Sequence, residues 1–129
     1  MEQKLFSKSV KEFLQNNFPE FVTTIKYQDD DSFDCSLKSD SKIFSIWIAT
    51  YNSEITIGIE DPTGDSSIHT HISCYELEDL QSCFFDLTLF INNIKNDKLI
   101  LYQKTNEKYD WIESSKFDSS ENCEKFSWN

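Results

Sequence analysis

Two rhythms of apolar residues divide this chain. Near the start, Leu5, Phe6, Val10, Phe13, Leu14 and Phe18 recur at intervals of three or four, which predicts an amphipathic helix that Asn16, Asn17 and Pro19 bring to an end. A second helical rhythm is cleaner. Leu77, Leu80, Phe84, Leu87, Ile91 and Ile94 follow one another at a 3-4-3-4-3 spacing, with Cys83, Leu89 and Phe90 widening the stripe and Asn93, Asn96 and Asp97 closing it.

Between these helices the pattern changes to a period of two. Residues 20–28 alternate, with Phe21, Thr23, Ile25 and Tyr27 on one side, and read as a strand. The turn Asp29-Asp30-Asp31-Ser32 leads to a second strand over 33–38, and Ser39-Asp40-Ser41 to a third over 42–51, apolar enough to be central, with Trp47 in its core. Asn52-Ser53 makes a tight connection to residues 54–60. There Ile55, Ile57 and Ile59 face the core, and Glu54, Thr56, Gly58 and Glu60 face away. Residues 61–67 form a loop, and 68–73 another alternating strand. After the second helix, 98–104 and 108–113 read as a hairpin, 114–124 as polar loop, and 125–129 as a short strand or tail.

Strands that follow one another through short turns favour an antiparallel meander. The expected fold class is therefore α+β: one domain spanning 1–129, with an N-terminal helix, a β-meander, a long second helix and a C-terminal hairpin. The helices cover one sheet face, and 117–129 is the segment expected to pack most loosely. No repeat or linker divides the chain.

Charge narrows the possible partners. Asp and Glu number 23 against 12 Lys, Arg is absent, and the net charge is -11. Such a surface repels nucleic acid and anionic membranes and attracts basic proteins. The missing Arg removes the side chain that best grips phosphate and guanine. Eleven Phe, five Tyr and three Trp supply core volume. The first residues lack the apolar run of a secretory signal, and no stretch is apolar enough to span a bilayer. Cys35, Cys74, Cys83 and Cys123 include no CxxC pair, and free thiols in a reducing cytoplasm are expected.

The candidate chemistry is sparse. His69 and His71 stand two apart in a strand, so both rings share one face, and they are the sole candidate metal ligands; a neighbouring acid such as Glu60 or Asp61 would have to join them. Ordinary hydrogen-bonded histidines are the expectation, with no metal, no cofactor and no catalytic residue. No Ser lies in a G-x-S-x-G elbow. Asp29, Asp30, Asp31 and Asp34 lack the Gly and terminal Glu of a calcium loop, and with Glu54, Glu60, Asp61 and Asp65 they form a candidate anionic docking patch. Trp111 and Trp128, near acids, are candidate interface anchors.

The strand-loop-strand segment 54–73, followed by the apolar helix and the strand KLILYQK, resembles small acidic immunity proteins encoded beside bacterial polymorphic toxins, over about residues 42–104. The resemblance implies a cytoplasmic, non-enzymatic protein that binds and neutralises one cognate toxin. The acid surface suits a basic toxin domain, of which a nuclease with a phosphate-binding groove is one kind. Two alternatives stand beside it: a metal-dependent enzyme built on His69 and His71, and a structural or adaptor domain. Binding of nucleic acid or membrane is not expected, and the oligomeric state is left open.

Overall fold

The computed structural model describes residues 1–129. Helix α1 covers Gln3–Asn17. Five strands follow: β1 (Lys26–Tyr27), β2 (Phe33–Lys38), β3 (Ser45–Ala49), β4 (Ile55–Glu60) and β5 (Ile68–Ile72). They pair antiparallel in their chain order, so the meander is real. Helix α2 (Leu80–Lys95) comes next. Then β6 (Leu99–Lys104), β7 (Tyr109–Glu113) and β8 (Cys123–Phe126) build a second sheet in the order β7-β6-β8. The fold is α+β.

Register follows from the alternation. Cys35 pairs with Ile48, Ile48 with Ile57, Leu37 with Ile46, and Ile46 with Ile59, so these side chains share one face. On that face Ile46, Ile48, Ile55, Ile57 and Ile59 are fully buried against Phe6, Val10 and Leu14 of α1 and Leu87, Ile91 and Ile94 of α2. Each such side chain contributes about 1.5–3 kcal/mol by leaving water. A register slip of one residue would turn the whole isoleucine set toward solvent, which fixes the pairing.

Three expectations change. Residues 20–28 do not form one strand: Pro19–Thr24 is a 3-10 helix, and only Lys26–Tyr27 pairs with β2. Pro19 occupies the first turn, where its ring suits helical backbone, and the Thr23 hydroxyl donates to Glu20 O at 3.0 Å. Thr24 Oγ1 stands beside β2, accepting the Ser36 N–H at 2.8 Å and lying 2.8 Å from Ser36 O. Trp47 is not a core residue. Its neighbours Ile46 and Ile48 point inward, so it occupies the opposite, outward face of the sheet. The C-terminal residues are held firmly. β8 adds a third strand to the expected hairpin, beginning at Cys123. Trp128 is 2% exposed, packs edge-on against Phe44 at 5.8 Å, and its N–H donates to Asp97 Oδ1 at 2.6 Å. Trp128 is thus core, not an interface anchor.

All four cysteines are free. Burial pushes the Cys35 thiol up to about 12, with Asp34 adding to the shift. Cys74 is likewise pushed up to about 12, first by burial and then by its hydrogen bond with Cys83. Both remain protonated and unreactive across the physiological range.

Candidate functional site

The sheet distributes the candidate acids to its two ends. The turn carrying Asp29, Asp30 and Asp31 joins β1 to β2 at the end where β4 starts, near Glu54. The Asp61–Ser67 loop joins β4 to β5 at the other end. The six residues of β4 separate these groups by roughly 17–20 Å, so they are two clusters and not one patch.

At the first end, Asp29, Asp30 and Asp31 are exposed, and Asp31 has a φ of 70°, a conformation Asp tolerates better than most residues. Asp30 Oδ1 accepts the Ser32 hydroxyl at 2.5 Å and the Ser32 N–H at 2.9 Å, and these bonds hold its carboxyl below the usual range. Asp34 accepts from Gln28 Nε2 at 2.9 Å. At the second end Asp61 is only 9% exposed. Its Oδ1 accepts the Thr63 hydroxyl at 2.6 Å, the Thr63 N–H at 2.8 Å and the Asp65 N–H at 3.2 Å. Asp61 therefore holds its own loop together and is not free to dock. Asp65 is exposed and accepts the Ser67 N–H at 2.7 Å; the bonds from Ser67, with Lys108 assisting, lower its pKa.

On the outward face of the sheet, Asp34 and Glu60 stand at opposite ends of a shallow cavity of about 380 Å³, with Ser36, Trp47 and Ala49 between them. Gly58 makes the close packing here possible. A β-carbon on it would come within 2.4 Å of Ile68 O and 2.8 Å of Trp47 Cε2. The indole Nε1 of Trp47 is buried without a hydrogen-bond partner.

His69 and His71 share this face, as their spacing requires, with ring centroids 5.0 Å apart. His71 Nδ1 lies between Glu54 Oε1 at 3.0 Å and Thr56 Oγ1 at 2.9 Å. His69 Nδ1 lies 2.8 Å from Ser67 O, a bond that requires the proton on that nitrogen. Glu54 is thus the acid paired with His71. No three His, Cys, Asp or Glu side chains converge in a group able to hold a metal ion.

Trp111, on β7, is half-buried and stacks on Phe90 of α2 at 6.0 Å. It serves to join the second sheet to the helix. The large apolar side chains that do meet solvent lie elsewhere: Tyr75, Leu77, Phe85 and Leu89 are 78%, 58%, 65% and 47% exposed. Phe85 is two residues from Leu87, and Leu89 two residues from both Leu87 and Ile91. At 100° per residue each points away from the core. A groove of about 660 Å³ between Phe13, Leu77, Phe84 and Phe85 runs along one side of this ridge. Along the other side runs a groove of about 640 Å³, lined by Ile72, Asp86, Leu89, Phe90, Lys98 and Glu113 among others. The adjacent pairs Phe84-Phe85 and Leu89-Phe90 were the available signal. One member of each pair, Phe85 and Leu89, stands about 200° from Leu87, too far round the helix to share its inward face.

A scan against protein-family models finds no match, and searches of curated proteins and of solved structures find none either.

Proposed function

We propose that this chain is an immunity-type inhibitor that acts in the bacterial cytoplasm by binding one basic toxin domain stoichiometrically. Its negative field steers the toxin, and the bound chain covers the toxin's substrate groove. A nuclease is the natural target, because a groove built to hold phosphate is positive before its substrate arrives.

The observation that supports this reading is how few of the acids are neutralised. The three lysine ion pairs engage Glu20, Glu113 and Glu121, and Glu54 meets His71, leaving Asp29, Asp31 and Glu60 exposed without a cation partner. Metal-dependent chemistry at His69 and His71 has less to draw on, since no third His, Cys, Asp or Glu joins them in a group able to hold an ion.

The test is a binding titration against the purified products of the two genes flanking its own, at low and physiological salt. One of them should be basic and bind one-to-one, with an association rate that falls as salt rises. Paired reversals Asp29→Lys/Asp31→Lys and Glu60→Lys/Asp65→Lys should each slow association without unfolding the chain. Absence of binding by either product would remove the reading.

A further inference from the structure

Helix α2 is apolar along its inward arc and carries two further apolar side chains on its outer side, Phe85 and Leu89, among the polar residues Gln81, Ser82, Asn92 and Asn93. Leu87, Ile91 and Ile94 are buried against the sheet, Phe84 and Phe90 pack at the flanks, and Phe85 and Leu89 stand on the far side in solvent. Large apolar side chains exposed side by side on the polar side of a helix are unusual enough to call for a partner. Leu77, just ahead of the helix, shares a groove with Phe85, and a second groove is lined by Leu89. Phe85 and Leu89 are neighbours one turn apart, Leu77 adjoins Phe85, and the polar margins around them give this face the form of an interface.

We infer that the outward ridge of α2, with Phe85 and Leu89 at its centre, is where the basic partner docks, and that the partner meets it with an apolar element framed by Lys or Arg; this rests on the function proposed above. Charge selects the occupant. No Lys occurs between Lys42 and Lys95, whereas Glu76, Glu78, Asp79 and Asp86 border the ridge. Glu78 lines one groove and Asp86 the other, so acids stand on both sides of Phe85. Asp79 and Glu76 are occupied in a reciprocal cap, the Asp79 carboxylate accepting the Glu76 N–H at 3.0 Å, but they keep their negative charge beside the patch. The one lysine that lines either groove, Lys98, shares it with Asp86 and Glu113.

A second copy of the chain fits poorly on the same ground. A two-fold contact sets one surface against itself, which would bring Glu78 and Asp86 against their own counterparts with little positive charge between them. A basic protein reverses that term. The arrangement also divides the labour: acids at the two sheet ends act at long range on encounter, and the ridge supplies the apolar contact that holds the complex.

The decisive experiment uses the flanking-gene product that binds the wild-type chain, and compares Phe85→Ser/Leu89→Ser, Glu78→Lys/Asp86→Lys and the turn pair Asp29→Lys/Asp31→Lys. The apolar pair should weaken affinity by about 30-fold or more, through faster dissociation, with the melting temperature unchanged or raised. Glu78→Lys/Asp86→Lys should slow association and flatten its salt dependence more than the turn pair does. If the apolar double variant loses its fold by circular dichroism, Leu77→Ser, outside the α-helix, replaces it with the same expected direction. Undiminished affinity in a folded ridge variant, with wild-type binding intact, would overturn the α2 surface and leave the inhibitor reading standing. Absence of any wild-type binding would instead overturn that reading. A dimer of the isolated chain in sedimentation, abolished by Phe85→Ser/Leu89→Ser, would overturn the choice of occupant.

Discussion

Trp47 Cε2 lies 2.8 Å from the point a β-carbon on Gly58 would occupy, and Ile68 O lies 2.4 Å from it. The carbonyl is part of the β5 ladder and has little room to yield. Gly58→Ala should therefore destabilise the fold by about 1–3 kcal/mol, the usual cost of overpacking, measurable by denaturant titration. Gly58 was legible as an outward position on an alternating strand, but its function was not. Only the register that sets it between Trp47 and His69 shows why a side chain is excluded there. At the same scale, the carboxyls of Asp30, Asp65 and Asp118 are lowered chiefly by bonds from the serine two residues on. A carboxyl lowered on folding adds stability above its ordinary range, and that contribution is lost as pH falls through the folded value. For Asp118 the Ser120 hydroxyl bond, at 2.6 Å, is the larger cause and the Ser120 N–H the smaller. Ser120→Ala should raise the Asp118 pKa in an NMR titration while leaving it below the ordinary value, and should slightly weaken the protein above the ordinary carboxyl range, a loss that fades as pH falls through the folded value.

Among the elements, α2 was the most legible because Leu80, Phe84, Leu87, Ile91 and Ile94 keep the helical period inward; Leu77 and Leu89, expected in the same stripe, instead meet solvent, Leu77 because it precedes the helix and Leu89 because it lies about 200° from Leu87. Leu87→Ala should cost about 2–5 kcal/mol, since the side chain is fully buried between α2 and the sheet. Phe85→Ala should change stability by no more than about 0.5 kcal/mol, as an exposed position does, and thermal unfolding of the two variants separates the inward from the outward face. The strands β2 to β5 were legible for the same reason, in a period of two. Residues 20–28 were not. Their alternation suits a strand, but Pro19 presets the helical backbone angle and the threonine hydroxyls supply local bonds, neither of which a periodicity count weighs. Trp47 was misplaced because its strand is apolar on both faces, so hydrophobicity alone gave no direction to its side chain. The candidate site divided similarly: the histidine pair faces as its spacing required, whereas the inward turn of Asp61 depends on loop geometry that spacing does not encode.

Across the whole molecule, an excess of 23 acids over 12 lysines sets a repulsion that folding must overcome. Raising salt from about 0.01 M to about 0.15 M shortens the screening length from roughly 30 Å to about 8 Å, comparable with the separation of neighbouring acids. The melting temperature should rise over that interval, with most of the gain at its lower end. Calorimetry at constant pH checks this, and a midpoint that fell with salt would mean the ion pairs outweigh the repulsion. No helix is long and apolar enough to cross a membrane.

The Thr24 hydroxyl has a further consequence at this scale. β1 covers β2 only at Asp34 and Phe33, so the next ladder groups of β2, the N–H and C=O of Ser36, would otherwise lie open. Both are met by one hydroxyl. A side chain thus stands where a strand from another molecule would add, and the margin of the sheet is closed to growth at the place where it would be easiest to extend. Thr24→Val keeps the shape and removes the bonds. It should lower stability by about 1 kcal/mol yet increase light scattering on prolonged incubation far more than an equally destabilised core variant does, because the freed amide and carbonyl of Ser36 become a template on which further chains can stack.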